Sequence, residues 1–206
     1  MQGRLIAIEG IEGAGKSTQA KRLARALGAE PAREPGGTDL GEAVRRLLLN
    51  DGSVAVSARA ELFLTLAARA QHLSERILPL LDSGHHVVVD RFTGSTVAYQ
   101  GYGRQLPLEE VKTACGIATK GKRPDLNILL DIDDSVRARR RPTAGDRIEA
   151  EAADFHERVR VGFRAQAGED PEHWVVVDGA RSVSLVTSEI LRAVSERLGL
   201  EPVGDR

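Results

Sequence analysis

The stretch GIEGAGKST, residues 10–18, follows a short apolar run at residues 5–8 and precedes a helical pattern. It has the spacing G-x-x-x-x-G-K-[S/T], in which a glycine-rich turn aims backbone N–H groups at a phosphate. Lys16 can reach the β- and γ-phosphates of a nucleotide, and Ser17 can ligate Mg²⁺. The stretch therefore predicts a nucleotide-phosphate site between the end of a strand and the N-terminus of a helix.

Strands and helices are predicted to alternate along the rest of the chain. Nearly continuous apolar runs predict strands at 5–8, 86–90, 126–132 and 174–178, with a weaker fifth at 29–33. Helical patterns occupy 16–27, 40–49, 57–82, 108–119, 152–167 and 183–198. This alternation predicts a parallel α/β sheet covered on both faces, with its ligand at the carboxyl ends of the strands.

The strand HVVVD, residues 86–90, ends in a carboxylate that is followed by an arginine. Asp90 has the form of a Walker B residue, which holds Mg²⁺, although a strand-end Asp can also simply cap a loop. The phosphate loop favours the metal role. Arg91 is well placed to bind a second phosphate group through two parallel hydrogen bonds.

Arginines are numerous near the predicted strand ends, and they favour a site for two phosphates. Phosphoryl transfer needs such cations because its transition state spreads charge over the γ-oxygens. An acceptor phosphate is already largely ionised at neutral pH, so no general base is required, and all five histidines are interpreted as structural. A switch GTPase is disfavoured because TKGK, residues 119–122, lacks the Asp that reads guanine.

The composition of the 206 residues limits the alternatives further. The 29 basic and 30 acidic side chains nearly cancel, which gives no support to a nucleic-acid-dependent ATPase or to membrane binding. The single cysteine, Cys115, is interpreted as a small buried residue in a reducing compartment. No apolar run has the length of a signal peptide or a membrane span, so a cytoplasmic protein is expected. The basic stretch RARRRPTAG, residues 137–145, predicts a mobile loop over an anionic ligand.

Several longer motifs accompany the phosphate loop: AREPGGT (32–38), AARAQH (67–72), DRFTGSTVAYQG (90–101), RPDLNILLDID (123–133) and GDRIE (145–149). Together they resemble the bacterial thymidylate kinases over nearly the whole chain. The resemblance implies a P-loop NTPase fold in three layers, with a five-stranded parallel sheet flanked by helices. It also implies a single domain over residues 1–206 with a lid near 137–150, a homodimer, and transfer of the γ-phosphoryl group of Mg²⁺-bound ATP to dTMP.

The same resemblance implies the roles of individual residues. ATP would be bound by the loop itself, Gly10, Ile11, Glu12, Gly13, Ala14, Gly15, Lys16, Ser17 and Thr18. The acceptor dTMP would be bound by Glu12, Glu34, Pro35, Arg45, Thr65, Arg69, Arg91, Ser95, Thr96, Tyr99 and Gln100. Mg²⁺ would be held by Ser17 and Asp90, and catalysis would depend on Lys16, Arg91, Arg147 and Arg141.

Within that acceptor site the resemblance assigns each group a part. Arg45 and Arg91 would hold the phosphate, and Arg69 and Gln100 would read the edge of the base. Glu12 would accept a hydrogen bond from the sugar 3′-hydroxyl. Tyr99 would pack under the sugar and exclude a 2′-hydroxyl, Thr96 would lie near the base, and the Glu34–Pro35 bond would be cis. Because Gly13 stands where some relatives have an arginine, the helping arginines are expected in the lid, at 139–141 and 147.

Three features depart from the family pattern: Thr65, Phe163 and the sequence of the lid. Thr65 stands where a Phe usually stacks on thymine, Phe63 lies on a different face of the same helix, and Phe163 stands where a Tyr is frequent. The lid also lacks a Glu before its Gly-containing turn. A kinase for another pyrimidine monophosphate such as dUMP therefore remains an alternative, as does a non-catalytic nucleotide-binding regulator. The apolar residues Leu62, Leu66, Leu73 and Ile77 of the 57–82 helix fit a dimer interface and a core equally well.

Overall fold

A computed structural model describes residues 2–49, 54–140 and 145–203 of the chain. Five parallel strands form one sheet in the order β2-β3-β1-β4-β5. They are β1 (Leu5–Glu9), β2 (Glu30–Arg33), β3 (Val87–Asp90), β4 (Leu126–Asp131) and β5 (Trp174–Asp178). The predicted five-stranded parallel sheet is confirmed, including the weak strand β2, whose apolar signal is small because it lies at the edge.

Helices cover both faces of this sheet. They are α1 (Lys16–Leu27), α2 (Asp39–Leu49), α3 (Ala58–His72), α4 (Leu78–Asp82), α5 (Thr93–Thr96), α6 (Leu108–Thr119), α7 (Asp134–Arg140), α8 (Ala153–Glu169) and α9 (Val183–Leu198). Two π-helical turns, Leu73–Ile77 and Val97–Gly103, continue α3 into α4 and extend α5. Within the described ranges, no helix has the length and apolarity needed to cross a bilayer.

Two predictions about local structure need correction. Residues 137–140 belong to helix α7 rather than to the predicted loop at 137–145, because Asp133 accepts a hydrogen bond from the backbone N–H of Val136 and starts the helix. Residues 141–144 lie outside the described part of the chain. The residues of the DRFTGSTVAYQG motif after Phe92 form α5 and its π-helical turn, an element that the apolar pattern did not predict.

The apolar side chains of the long α3–α4 segment belong to the core of the chain. Leu62 and Leu66 pack with Val97 and Val111, and Leu73 and Ile77 pack against the sheet. The interface interpretation of these four residues is therefore wrong, because each is at least nine-tenths buried within the chain itself. The outward face of α3 carries Phe63 instead, which is 62% exposed.

The parallel register collects charged residues at one edge of the sheet. Ile8 of β1 and Arg33 of β2 both pair with Asp90 of β3, so the three strands end at the same level. The central strand β1 is fully buried and runs directly into the phosphate loop. The fold therefore brings the loop, the end of β2 and the Asp90–Arg91 pair together at the carboxyl ends of the strands. This is the edge at which open α/β sheets bind their ligands.

Candidate active site

The phosphate loop joins β1 to α1 in a conformation that only glycine adopts readily. Gly10, Gly13 and Gly15 have φ angles of 138°, 78° and 94°. A Cβ atom at Gly10 would lie 2.6 Å from the carbonyl oxygen of Leu130. Gly15 precedes α1 with no side-chain cap, so the first N–H groups of the helix stay available to an anion.

Lys16 is held inside the loop rather than extended into solvent. Its Nζ donates to the carbonyl oxygen of Ile11 at 2.8 Å, and the residue is 8% exposed. Burial, assisted by the positive charge of Arg91, lowers the pKa of Lys16 to about 8, against an opposing effect of Glu12 and Asp90. The ammonium group is therefore poorly solvated until an anion binds beside it.

Ser17 and Asp90 meet at the end of β3, as the sequence predicts. The Ser17 hydroxyl donates to Asp90 Oδ2 at 2.5 Å, while Asp90 Oδ1 is buried and has no hydrogen-bond partner among the described residues. A buried, unpartnered carboxylate oxygen beside a hydroxyl fits the oxygen preference of Mg²⁺. Among the described residues, no group of three or more His, Cys, Asp or Glu side chains could hold a metal ion.

One cavity of about 480 Å³ opens beside the loop and collects the predicted acceptor residues. Its lining includes every residue expected to bind the acceptor, namely Glu12, Glu34, Pro35, Arg45, Thr65, Arg69, Arg91, Ser95, Thr96, Tyr99 and Gln100. From the loop it also includes Gly13, Gly15, Lys16, Ser17 and Thr18, together with Asp90 and Arg147. Gly10, Ile11 and Ala14 form the buried base of the loop instead, and Arg141 lies outside the described residues.

Arg91, Glu12 and Tyr99 form one hydrogen-bonded cluster between the loop and the cavity. Arg91 Nη2 donates to Glu12 Oε1 at 2.8 Å and to the Tyr99 hydroxyl at 3.2 Å, and Tyr99 donates to the same Glu12 oxygen at 2.6 Å. Burial raises the pKa of Glu12, but the positive charges of Arg91 and Lys16 outweigh it, so the pKa lies below its ordinary value. Glu12 is thus an ionised acceptor that keeps Arg91 and Tyr99 in place.

Arg69 is fixed by three neighbours deep in the cavity. It donates to Glu34 Oε2 at 2.6 Å, to Thr96 Oγ1 at 2.7 Å and to the carbonyl oxygen of Phe92 at 2.9 Å. His72 Nδ1 lies 3.0 Å from the other oxygen of Glu34, so this carboxylate supports Arg69 from behind. Guanidinium has five N–H donors, and those left over can meet an acceptor in the cavity.

Arg45 differs from the other cavity arginines in having no carboxylate partner among the described residues. Its Nη1 donates to the carbonyl oxygen of Pro35 at 3.1 Å, next to the cis Glu34–Pro35 bond that the sequence predicts. Burial, together with the charge of Arg33, lowers the pKa of Arg45. A partly buried guanidinium without a carboxylate partner can form strong charge-assisted hydrogen bonds to a phosphate that enters the cavity.

No phenylalanine of α3 takes the place of the aromatic ring that Thr65 lacks, and Phe163 packs beside the cavity. Thr65 lines the cavity, whereas Phe63 points outward from the same helix and contributes nothing to it. Phe163 is buried and packs edge-to-face on Tyr99, with ring centroids 6.1 Å apart. A Phe at this position therefore supports Tyr99 by packing, without a hydroxyl.

The described arginines of the predicted lid point in two directions. Arg147 Nη2 donates to Glu61 Oε2 at 2.5 Å and its Nε to the carbonyl oxygen of Leu48 at 3.2 Å, so it lies over the cavity rather than on the loop. Arg140 donates to the carbonyl oxygens of Gly13 and Gly179, at 3.1 and 2.9 Å. It therefore ties the phosphate loop to the segment after β5.

The sequence analysis missed several acidic and basic residues that build the site from behind. Buried Glu9 accepts hydrogen bonds from the backbone N–H of Phe92 and from the Ser95 hydroxyl, and burial raises its pKa. Glu61 binds both Arg104 and Arg147. Both nitrogens of buried His156 lack a hydrogen-bond partner within the described chain, and its Nδ1 lies 3.9 Å from Glu12 Oε2. A motif search cannot find such residues, because they contact other side chains of the protein and these contacts form only in the folded chain.

Comparisons with known proteins agree on one family. The family model described as Thymidylate kinase matches residues 8–190. The thymidylate kinase of Solidesulfovibrio magneticus is 44% identical over 207 residues, covering 94% of this chain and 99% of the relative. The thymidylate kinase of Carboxydothermus hydrogenoformans is 45% identical over 197 residues, covering 92% and 96%. The crystal structure of thymidylate kinase from Ehrlichia chaffeensis superposes with a TM-score of 0.77 at 30% identity, covering 94% of this chain and 99% of that one.

Proposed function

The chain belongs to the thymidylate kinase family, which transfers the γ-phosphoryl group of ATP to dTMP, and we propose that the residues of its cavity divide this reaction as follows. The phosphate loop and Lys16 bind the donor phosphates. Arg45 and Arg91 bind the acceptor phosphate. The observation that supports this division is that the loop, Asp90 and the acceptor residues line one cavity, so a donor and an acceptor phosphate bound by these residues would lie side by side.

Transfer needs positioning and charge stabilisation more than proton chemistry. An oxygen of the dTMP phosphate forms a bond to the γ-phosphorus as the bond from that phosphorus to the β–γ bridging oxygen breaks, which gives dTDP and ADP. The acceptor phosphate has a second pKa of about 6, so it attacks as a dianion and no residue has to remove a proton. Lys16 and Arg91 stabilise the charge that develops on the transferring oxygens.

Ser17 and Asp90 would hold Mg²⁺, supported by the unpartnered Oδ1 atom of Asp90. When bound, Mg²⁺ neutralises charge on the β- and γ-phosphate oxygens of the donor. The residues near 137–150 would act as a lid within one domain, and its closure would exclude water, which favours transfer over hydrolysis. Arg147 would then leave Glu61 for the transferring phosphoryl group, with Arg141 as the second lid arginine.

The enzyme is also proposed to be a cytoplasmic homodimer. The support is a pair of exposed apolar side chains on two helices that pack together, Phe63 of α3 and Ile117 of α6, which are 62% and 76% exposed. Light scattering of the purified chain should give twice the mass of one chain, and Phe63→Asp should reduce it to the monomer. A monomer at all concentrations would remove the dimer from the proposal.

The proposed reaction is tested by coupled measurement of ADP release with ATP and Mg²⁺. Parallel reactions contain dTMP, dUMP, dCMP, dGMP or no acceptor, and Lys16→Ala serves as the inactive control. Dependence on dTMP supports the proposal, and a preference for dUMP would make the alternative substrate correct. ADP release that ignores every monophosphate, or none at all, would instead indicate an ATPase or a regulator.

A further inference from the structure

Glu61 of α3 is a buried carboxylate at the base end of the cavity that carries none of the predicted roles. Its side chain is 2% exposed, and its Oε1 accepts a hydrogen bond from Gln100 Nε2 at 2.8 Å. Arg104 donates to both of its oxygens at 3.1 Å, and Arg147 donates to Oε2 at 2.5 Å. The carboxylate thus connects a base-reading side chain to two arginines.

We propose that Glu61 is a positioning residue that fixes the side-chain amide of Gln100 with its oxygen toward the base, so that the cavity selects a pyrimidine with a hydrogen on N3. This inference rests on the proposed function and deepens it. The predicted role of Gln100 leaves open which end of its amide faces the base. Glu61 decides between the two orientations.

The direction of the amide follows from the chemistry of the carboxylate. Burial raises the pKa of Glu61, but hydrogen bonds from Arg104, Arg147 and Gln100 outweigh it, so the pKa lies below its ordinary value. An ionised carboxylate only accepts hydrogen bonds, so Gln100 has to turn its NH₂ group toward Glu61. No described residue donates to Gln100 Oε1, and Gln100 lines the same cavity as Arg69 and Thr96, so this oxygen is available there as an acceptor.

The resulting pair of groups matches one kind of base edge. Arg69 supplies N–H donors and Gln100 supplies an acceptor in the same cavity, which complements the O4 acceptor and the N3–H donor of thymine or uracil. Cytosine presents an NH₂ group and an unprotonated N3 at the same positions, so it meets a donor with a donor and an acceptor with an acceptor. Such mismatches in a buried site cost much more than a missing methyl group.

The variant Glu61→Gln reverses this arrangement without changing the size of the side chain. Arg104 donates at both oxygen positions, and before the lid closes Arg147 donates at the Oε2 position as well. The carbonyl oxygen of the new side-chain amide would therefore occupy the Oε2 position in the open cavity, where the base first binds. Its NH₂ group would then face Gln100 and turn the Gln100 amide around, with NH₂ toward the base. Glu196→Gln is the matched control, because among the described residues Glu196 pairs only with Arg192, on the exposed surface of α9.

The experiment measures kcat/KM for dTMP, dUMP and dCMP with the unmodified chain and both variants. In Glu61→Gln the ratio of dTMP to dCMP should fall about tenfold or more, with dUMP following dTMP, as expected when one hydrogen-bond pair changes from match to mismatch. Glu196→Gln should keep the ratio of the unmodified chain. Equal losses for all three substrates, or an unchanged ratio, would show that Glu61 has only a structural role.

A second measurement uses only the unmodified chain and so does not depend on the folding of a variant. Side-chain amide protons of Gln100 are followed by NMR in protein labelled with ¹⁵N-glutamine. They should be protected from exchange with solvent both before and after dTMP binds. Protection that appears only with dTMP would overturn the inference. Failure of the unmodified chain to turn over any monophosphate would instead reject the proposed function.

Discussion

Replacement of Lys16 by Met should make the nucleotide-free chain more stable while abolishing its activity. The pKa of Lys16 falls from 10.5 to about 8, chiefly through burial, which corresponds to a cost of roughly 3 kcal/mol for keeping the ammonium charged in the folded state. The substitution also removes the hydrogen bond to Ile11, which is worth about 1 kcal/mol. The net gain near pH 7 is therefore about 2 kcal/mol, or ~4–8 °C in Tm for a domain of this size.

The stability gained by Lys16→Met should depend on pH if it comes from removing a buried charge, and should not depend on pH if it comes from better packing of the methionine side chain. Below pH 8 the ammonium is charged in both the folded and the unfolded chain, so the whole cost is present. Between pH 8 and 10.5 the folded chain has lost a proton that the unfolded chain still holds, so the cost falls as pH rises. At pH 9.5 roughly 1 kcal/mol of the cost remains, which the lost hydrogen bond cancels.

The measurement is urea denaturation of the unmodified chain and Lys16→Met at pH 7 and pH 9.5, without nucleotide. Lys21→Met is the control, because Lys21 is exposed on the same helix. The stability difference for Lys16→Met should shrink by about 2 kcal/mol between the two pH values. A variant that is less stable than the unmodified chain, by the same amount at both pH values, would refute the reasoning.

Three other substitutions test the acceptor and metal sites. Arg45→Gln should weaken dTMP binding about 10- to 100-fold with little effect on ATP, measured by calorimetry, and equal losses for both ligands would contradict its assignment. Thr65→Phe should tighten dTMP binding by about 1–3 kcal/mol if a base can stack there, and weaker binding in the same calorimetric titration would show that the ring does not fit. Asp90→Asn should raise the Mg²⁺ concentration needed for half-maximal turnover about tenfold or more, and an unchanged requirement would remove Asp90 from the metal site.

The sequence was sufficient to predict the sheet because its signals are local. The apolar runs that became β1, β3 and β4 are buried on both faces, and the run that became the edge strand β5 buries Trp174 and Val177. Helices α1, α6 and α9 begin and end at the residues their patterns predict. The loop could be predicted from its spacing, since phosphate binding of this kind needs the same backbone and the same lysine in any chain. The residues that line the cavity were expected from the resemblance to thymidylate kinases, and their binding roles stay predictions. Arg141, the other lid arginine, lies outside the described residues and stays a prediction.

The supporting residues were not predictable for a different reason. Glu61 and Gln100 are separated by 39 positions and meet only because α3 packs beside the π-helical turn after α5. That turn has no strong periodic signal, since its residues are buried on several sides. From the sequence alone, a glutamate that binds two buried arginines looks the same as a glutamate on the exposed face of a helix. The two can be told apart only when the tertiary contacts are known.

The pairing of charges in the cavity decides which arginine attracts the acceptor. Most of the cavity arginines already neutralise a carboxylate in the nucleotide-free chain, in the pairs Arg91–Glu12, Arg69–Glu34 and Arg147–Glu61. A phosphate dianion that approaches such a pair meets little net charge. It can bind only to the guanidinium N–H groups that do not already donate to the carboxylate. Arg45 makes no such direct ion pair in the described chain and is partly buried, and Glu42, Asp146 and Asp90 act on its charge only from a distance. Losing Arg91 would also leave the buried carboxylate of Glu12 without its main cation, at a folding cost of about 3–5 kcal/mol. Removing Arg45 should therefore weaken acceptor binding without destabilising the fold. Removing Arg91 should weaken acceptor binding and also destabilise the fold.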